Sequence, residues 1–455
     1  MAESQMQSVE TVLQPQPQNP DERLKTQKQF DSSIIKSFIP LAKRMTSSEA
    51  EKQMFLSDDD LEPKRQKLMS ELKDWIRLMD ECNEKQKDAE SYCAEQITVN
   101  TQALRKGVEV ALKATAPLEA SYRELQVFFL NANCEKAYNL RVLNADDSEF
   151  TDNNKLLRLE EKVRNILHKE INELDKTKSY SFLALPGYRL KTKDDMRRWA
   201  KMSYDNNVMF ITDAEDVKEK LLDENETMFE RLCKNTENLK DTDPTFQNVI
   251  VTANWILGRD AESMSVKEVS EKGFFIPPSL ALLGKLYNES LGMSQAPSGE
   301  TYGTFLGAKG VKVDGLGEEE IAKLRENHVV PIVYSKDRVM AFGNSSLYNK
   351  KGDDMTEYSI VRVYLWVERV LQTYANSING ENWDPYNHPT DIQKVLQNFF
   401  NQYKGYGKAF QEIKVHRAQM PADNRVVITA EILPYYAMNY FKLEVKKMED
   451  PDKKK

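Results

Sequence analysis

Cysteine and histidine are scarce, with four of each among 455 residues. Cys82, Cys93, Cys134 and Cys233 contain no CxxC pair, so neither a disulfide framework nor a thiolate metal site is expected, and the thiols read as reduced. His168, His328, His388 and His416 have no metal-ligand partner one helical turn away. No Gly-x-Ser-x-Gly elbow is present. Glycine and proline, 17 of each, fall below their average share, which favours long helices over a loop-rich β protein. There is no basic excess: the net charge of −8 gives no global footprint for nucleic acid. The local clusters Lys64-Arg-Gln-Lys67 and Asp194-Asp-Met-Arg-Arg198 lack interleaved stacking aromatics. No apolar run approaches a membrane span, and residues 1–30 lack a signal-peptide core, so no membrane insertion and a cytoplasmic location are expected.

Phosphate-loop chemistry is also missing. Gly303-Thr-Phe-Leu-Gly307-Ala-Lys309-Gly310 is glycine-rich and holds a lysine, but the signature needs lysine directly after the second fixed glycine, then Ser or Thr. Gly405-Tyr-Gly-Lys408 fails in the same way. No catalytic residue, cofactor or metal is therefore assigned. A nucleotide-binding enzyme built on residues 299–317 stays an alternative, as does a coiled-coil scaffold built on residues 61–116.

What is present begins with a polar arm. Residues 1–20 carry two acids, no base and the tract Gln14-Pro-Gln-Pro-Gln-Asn-Pro20, which cannot bury a core. Ile34, Ile35, Phe38 and Ile39 then fall on one face of a short helix, a docking candidate. Ser57-Asp-Asp-Asp60 with Pro63 reads as a helix start. Leu68, Leu72, Trp75 and Met79 follow a coiled-coil-like spacing and are candidates for contacting a partner helix. That pattern is broken at Gln86 and is expected to run to Ala116, before Pro117. Residues 118–138 and 155–174 read as two further helices.

After residue 178 strands alternate with helices, the signature of α/β layering. Strands are expected over 179–185, 207–212 and 248–257, and helices over 193–203 and 214–233. A proline-started helix follows at 277–287. A short helix over 318–326 precedes a hairpin of 329–334 with 338–343. Helices over 358–378 and 390–403 complete this part.

Three strand-like runs close the chain. The first, from Phe410, includes Ile413 and Val415. In the second, Val426, Ile428, Ala430 and Ile432 share one face. In the third, Phe441, Leu443 and Val445 alternate with polar neighbours. The period of two is the strand signal, and Pro421-Ala-Asp-Asn424 is turn chemistry. A small sheet with an open edge pairs with other chains unless it is blunted.

Residues 275–445 resemble the C-terminal half of contractile-tail sheath proteins of phages. Phe275-Ile-Pro-Pro-Ser-Leu-Ala-Leu-Leu-Gly-Lys-Leu-Tyr287 is similar to their Pro-Pro-Ser helix start, and Val330-Pro-Ile332 sits where they have Asn-Pro-Ile. Met340-Ala-Phe-Gly-Asn-Ser-Ser-Leu347 stands in place of a Val-Trp-Gly-Ala-Arg-Thr-Leu run. Residues 358–370 resemble the Val-Arg-Arg helix that follows. The closing segment 426–445, a strand leading through a proline bend to a last strand, resembles the end of the type VI secretion sheath large subunit, the TssC family.

The resemblance implies an α+β protein: a helical N-terminal region and a sheath-like C-terminal α/β domain whose terminal strands are exchanged between subunits. The expected divisions are an arm over 1–57, helices over 58–178, a middle α/β domain over 179–297 and the sheath domain over 298–455. It also implies a non-enzymatic structural role. The partners implied are a small TssB-type subunit, further copies of the chain in a helical sheath, an inner tube of Hcp-type rings, a baseplate, and a ClpV-type unfoldase that recycles the sheath.

Overall fold

A computed structural model describes residues 62–84, 89–134, 136, 139–172, 179–260, 273–288, 293–378, 392–419 and 427–437. Internal contacts divide the chain into two units, Met1–Glu109 and Val110–Lys455. The arm, its docking candidates Ile34, Ile35, Phe38 and Ile39, and the third closing strand lie outside the described residues.

In the first unit, α1 (Glu62–Glu84) is followed by the start of α2 (Ala89–Ala132). Met69, Met79 and Tyr92 are buried, and the Tyr92 hydroxyl donates to the Glu81 carboxylate. The division between units falls within α2. This 44-residue helix passes through Pro117, where the sequence pattern predicted an end. Pro117 lies on an exposed face. There the carbonyl that proline leaves unpaired can be met by solvent, and the helix continues.

The second unit is organised around a five-stranded sheet. In chain order its elements are α3 (Asn153–Asn172), β1 (Phe182–Leu185), α4 (Lys193–Asp205), β2 (Met209–Asp213), α5 (Met228–Glu237), β3 (Val249–Ala253), β4 (Ile256–Arg259), β5 (Phe274–Ile276), α6 (Ser279–Tyr287), α7 (Glu318–Glu326), β6 (Val330–Ser335), β7 (Arg338–Ala341), α8 (Tyr358–Ile378), α9 (Ile392–Asn401), β8 (Phe410–Gln419) and β9 (Val427–Pro434). The sheet order is β1-β2-β3-β6-β7. The first four strands are parallel and β7 returns antiparallel beside β6.

Every residue of β2 and β3 is buried, as expected of a parallel sheet covered on both faces. Alternation sorts the side chains. Phe210, Val249, Val251 and Ala253 pack with Trp199 of α4 and Leu159 and Val163 of α3. Met209, Ile211, Ile250, Val330 and Ile332 pack on the other face with Leu282 and Leu286 of α6 and Val127 and Phe128 of α2. Gly284 of α6 lies so close to α2 that a Cβ there would come 2.5 Å from the Phe128 carbonyl oxygen. Asn131 of α2 brackets Leu306, donating to its carbonyl at 3.0 Å and accepting from its N–H at 2.9 Å.

Two expected elements are revised. The strand expected over 248–257 is two strands, β3 and β4, broken at Asn254, whose φ of 84° is left-handed. The Asn254 amide bonds Val313 and Ile332 instead of continuing a ladder. The helix expected over 214–233 is mostly irregular. Ala214 and Val217 are buried against the sheet, and α5 starts only after Thr227, which forms a capping box with Glu230.

Candidate assembly site

A third core, separate from the two faces of the sheet, is built by α8, α9 and the β8–β9 hairpin. Val363 and Val367 of α8, Leu396 and Phe400 of α9, and Phe410, Ile413 and Val415 of β8 are all buried in it. Ile428, Ala430 and Ile432 of β9 are half-buried and pack on the same cluster. Val427 and Leu433, on the opposite face of β9, are about half exposed at 49% and 47%. One face of the hairpin is thus core and the other is open, as the period of two predicted. Val426 and the residues Phe441, Leu443 and Val445 lie outside the described set.

β8 and β9 pair antiparallel, with Ile413 opposite Ile432 and Val415 opposite Ala430. Register shifts flank this stretch, between Phe410 and Glu412 and between His416 and Gln419. The two outer edges of the pair differ. Gln397 of α9 donates to the Ile413 carbonyl at 2.9 Å and accepts from the Val415 N–H at 2.9 Å. Its amide therefore occupies the backbone groups that a neighbouring strand would use, and the β8 edge is closed.

The same contacts orient the pair. N–H and C=O of one residue point to the same side of a strand, and successive residues alternate. Ile413 and Val415 therefore face away from β9, and their opposites Ile432 and Ala430 face away from β8. The Tyr364 hydroxyl reaches the Ile432 carbonyl from that outer side at 3.4 Å, in agreement. Among the described residues no strand pairs with the outer edge of β9. The hairpin thus has one edge closed by Gln397 and one on which, among the described residues, Tyr364 meets the Ile432 carbonyl but no strand pairs, a geometry suited to accepting an extended segment along the rest of that edge. Gln397 could not have been picked out from sequence, because its role depends on the packing of α9 against β8.

The other residues singled out from sequence are dispersed. Along α1, Met79 is buried, Leu72 is half-buried, and Leu68 and Trp75 are exposed at 62% and 49%. The glycine-rich stretch is built into strand pairing rather than left open as a cradle. Lys309 N–H donates to the Leu257 carbonyl, Leu257 N–H donates to the Gly310 carbonyl, and Thr304 bridges Met340. The Lys309 ammonium is paired with Asp260 at 2.5 Å. His168 lies in α3. His328 adopts a left-handed φ of 59° and contacts the Ser346 carbonyl, and His416 contacts Glu431 across the hairpin. Among the described residues no three His, Cys, Asp or Glu side chains gather as a metal site. Nor is any described helix long and apolar enough to cross a membrane.

In parallel sheets the crevice beyond the strand C-termini is the usual ligand position. Here the Asp213 carboxylate stands at the end of β2. It accepts from the Gly187 N–H, the Thr252 hydroxyl, the Ser279 N–H and the Ser279 hydroxyl, at 2.5 to 2.8 Å. Burial pushes Asp213 up to about 6, against the pull of these four bonds. Burial likewise lifts Glu124 to about 7, with the Asp213 charge adding to it.

Two family models match the chain: the type VI secretion system TssC/VipB central domain over residues 110–349 and the TssC/VipB-like C-terminal domain over residues 357–455. No curated protein matches. Among solved structures, the chain is similar to a chain of the anti-feeding prophage baseplate, at 13% identity and a TM-score of 0.43 over 61% of this chain and 71% of that one. It is also similar to the anti-feeding prophage helical sheath in the contracted state, at 14% identity and a TM-score of 0.42, over 68% and 77% of the two chains. A third similarity is to the contracted sheath complex of an extracellular contractile injection system, at 13% identity and a TM-score of 0.41, over 60% and 72%.

Proposed function

The chain belongs to the TssC/VipB family of the type VI secretion system, and from that premise we propose that it is the large subunit of a contractile sheath, with a mechanical rather than catalytic role. It pairs with a small TssB-type subunit in the bacterial cytoplasm and polymerises with its own copies into a helix around a tube of Hcp-type rings. The sheath stands on a baseplate, and its contraction drives the tube outward. A ClpV-type unfoldase recycles the contracted form. The polar arm, with Ile34, Ile35, Phe38 and Ile39, serves inter-subunit contact or recycling, and the exposed Leu68 and Trp75 of α1 face the small subunit.

The observation that carries this reading is the one-sided hairpin. Its closed β8 edge and available β9 edge suit addition of a strand from a neighbouring protomer. Each ladder bond so formed contributes roughly 0.5–1.5 kcal/mol net. An added strand of about eight residues reaches roughly 26 Å, long enough to act as a strap between bodies that rotate past one another. The closing residues Phe441, Leu443 and Val445 are the strap candidates.

The test is co-expression with the small sheath subunit, followed by electron microscopy. Tubes are expected from the full chain. Leu443→Pro should give soluble subunit pairs and no tubes, because proline removes a ladder donor. Normal tubes from Leu443→Pro would overturn strand exchange through this segment. A chain that forms neither pairs nor tubes with any small sheath subunit would overturn the sheath role.

A further inference from the structure

A cavity of about 350 Å³ opens between α8, α6 and the β1 edge of the sheet. Its wall is mainly apolar and aromatic, with Phe128, Met209, Leu283, Leu365 and Trp366 contributing. Among the described residues that line it none is acidic, yet two are arginines, Arg362 and Arg369 of α8. Seven residues apart, they lie two turns along one face of that helix.

The two guanidinium groups differ in how far they are satisfied. Arg369 donates to the Ser181 hydroxyl at 2.7 Å and to the Asn207 carbonyl at 3.3 Å. Arg362 donates through Nη2 to the Leu286 carbonyl at 3.0 Å. Its Nη1 is shut off from solvent and has no hydrogen-bond partner among the described residues. Neither arginine forms an ion pair within the described residues. A buried cation without a counter-ion is costly, and a buried donor left unspent adds to that cost. Burial drives the Arg362 guanidinium down to about 10, the response of a cation lacking a carboxylate.

We propose that this cavity binds an organic carboxylate, whose charged end pairs with Arg362 and whose apolar body lies among Phe128, Leu283 and Trp366. The planar guanidinium fork matches a carboxylate in shape and in number of bonds. The volume lies at the lower end of the range for small-ligand sites, which are lined in this way by apolar groups with a few polar anchors. A carboxylate in the cavity would supply the missing charge. Two sources share this chemistry: a free organic acid, and a glutamate or aspartate beside an apolar residue in another polypeptide. The site lies apart from the β8–β9 hairpin and does not depend on strand addition there.

The test is calorimetric titration of the full chain, in its purified assembly, with 3-phenylpropionate and with 3-phenylpropanol. The acid should bind at least tenfold more tightly than the alcohol. Arg362→Gln, which retains a donor for the Leu286 carbonyl, should remove that preference while the unliganded melting temperature shows that the fold persists. Leu365→Trp fills the cavity with both arginines kept, and should abolish binding of acid and alcohol alike. It keeps the proposal testable if Arg362→Gln fails to fold. An N-acetylated Phe-Glu amide competing with the acid, together with mass spectrometry of molecules released on denaturation, separates the sources. A co-purifying acid identifies the free ligand, and peptide competition without one identifies a side chain. Equal binding of acid and alcohol, acid binding unchanged in a folded Arg362→Gln, or no binding of acid or peptide would each overturn the proposal.

Discussion

Asp213 and Ser279 are joined twice: one carboxylate oxygen accepts the Ser279 N–H at 2.8 Å and the other accepts its hydroxyl at 2.6 Å. The pair fastens the first residue of α6 to the end of β2. It is also a buried charge without a cation, and that makes the stability of the fold depend on pH.

An acid whose folded value is about 6, against an ordinary 3.8, binds more protons folded than unfolded between those values. Its contribution is therefore fully present below about pH 4 and is lost as pH rises through 6. Two units correspond to about 3 kcal/mol at most. Glu124 adds a contribution of the same sign up to about pH 7. Asp213→Asn should flatten the fall in stability between pH 4 and 6. It should also cost about 1–3 kcal/mol, because its amide nitrogen would meet a donor. Chemical denaturation of both proteins at pH 4.5 and 7 measures this, and an unchanged pH slope in the variant would refute the assignment.

Gln397→Ala should leave the Ile413 carbonyl and the Val415 N–H without partners. A loss of about 1–3 kcal/mol is expected. Once the β8 edge is uncovered, the variant should also self-associate in a concentration-dependent way. Light scattering across a dilution series reads this directly, and a stable, non-associating variant would show that the edge is closed by something other than this amide.

The two edges of β9 can be separated by where proline is placed. Ala430→Pro removes an N–H on the outer edge, whereas Glu431→Pro removes one that faces β8. The first should spare the pairing with the small subunit and abolish tubes; the second should destabilise the hairpin itself by about 3 kcal/mol or more. Identical behaviour in a tube-formation assay and in thermal unfolding would mean that the orientation of β9 is reversed.

Gly284→Ala places a methyl 2.5 Å from the Phe128 carbonyl oxygen and 2.9 Å from the Asn131 Cβ, and helix backbone cannot yield as a side-chain tip can. Separation of α6 from α2 should cost about 1–3 kcal/mol. A melting temperature equal to that of the parent would show that the two helices adjust without loss.

Much of this architecture was legible in sequence because the relevant signals are local. The runs around Phe210 and Ile250 are buried strands, and the alternation through Ile428, Ala430 and Ile432 sets the core face of β9. Thr227 and Glu230 form a capping box that the sequence spells out, whereas the helix expected over 214–233 takes in the stretch before it, where Ala214 and Val217 are buried. Their burial is imposed by the sheet, not by helical periodicity. Pro117 misled in the opposite direction, since the cost of a proline depends on which side of the helix it faces. Gln397, Arg362 and the Asp213 cluster were not readable, because each is defined by partners from distant segments. The fold class and the family resemblance followed from local patterns, whereas the two candidate sites depend on long-range packing.

The placement of β6 beside β3 has a consequence for synthesis. β1, β2 and β3 follow one another through short crossovers, but the strand that covers β3 begins only at Val330. Until the ribosome has passed that point, β3 is a bare edge of five apolar-leaning residues that water should not touch. Closure of so long a loop is slow relative to the local βαβ steps. A nascent chain paused before Val330 is therefore the species most exposed to aggregation, and the one a chaperone should be found holding.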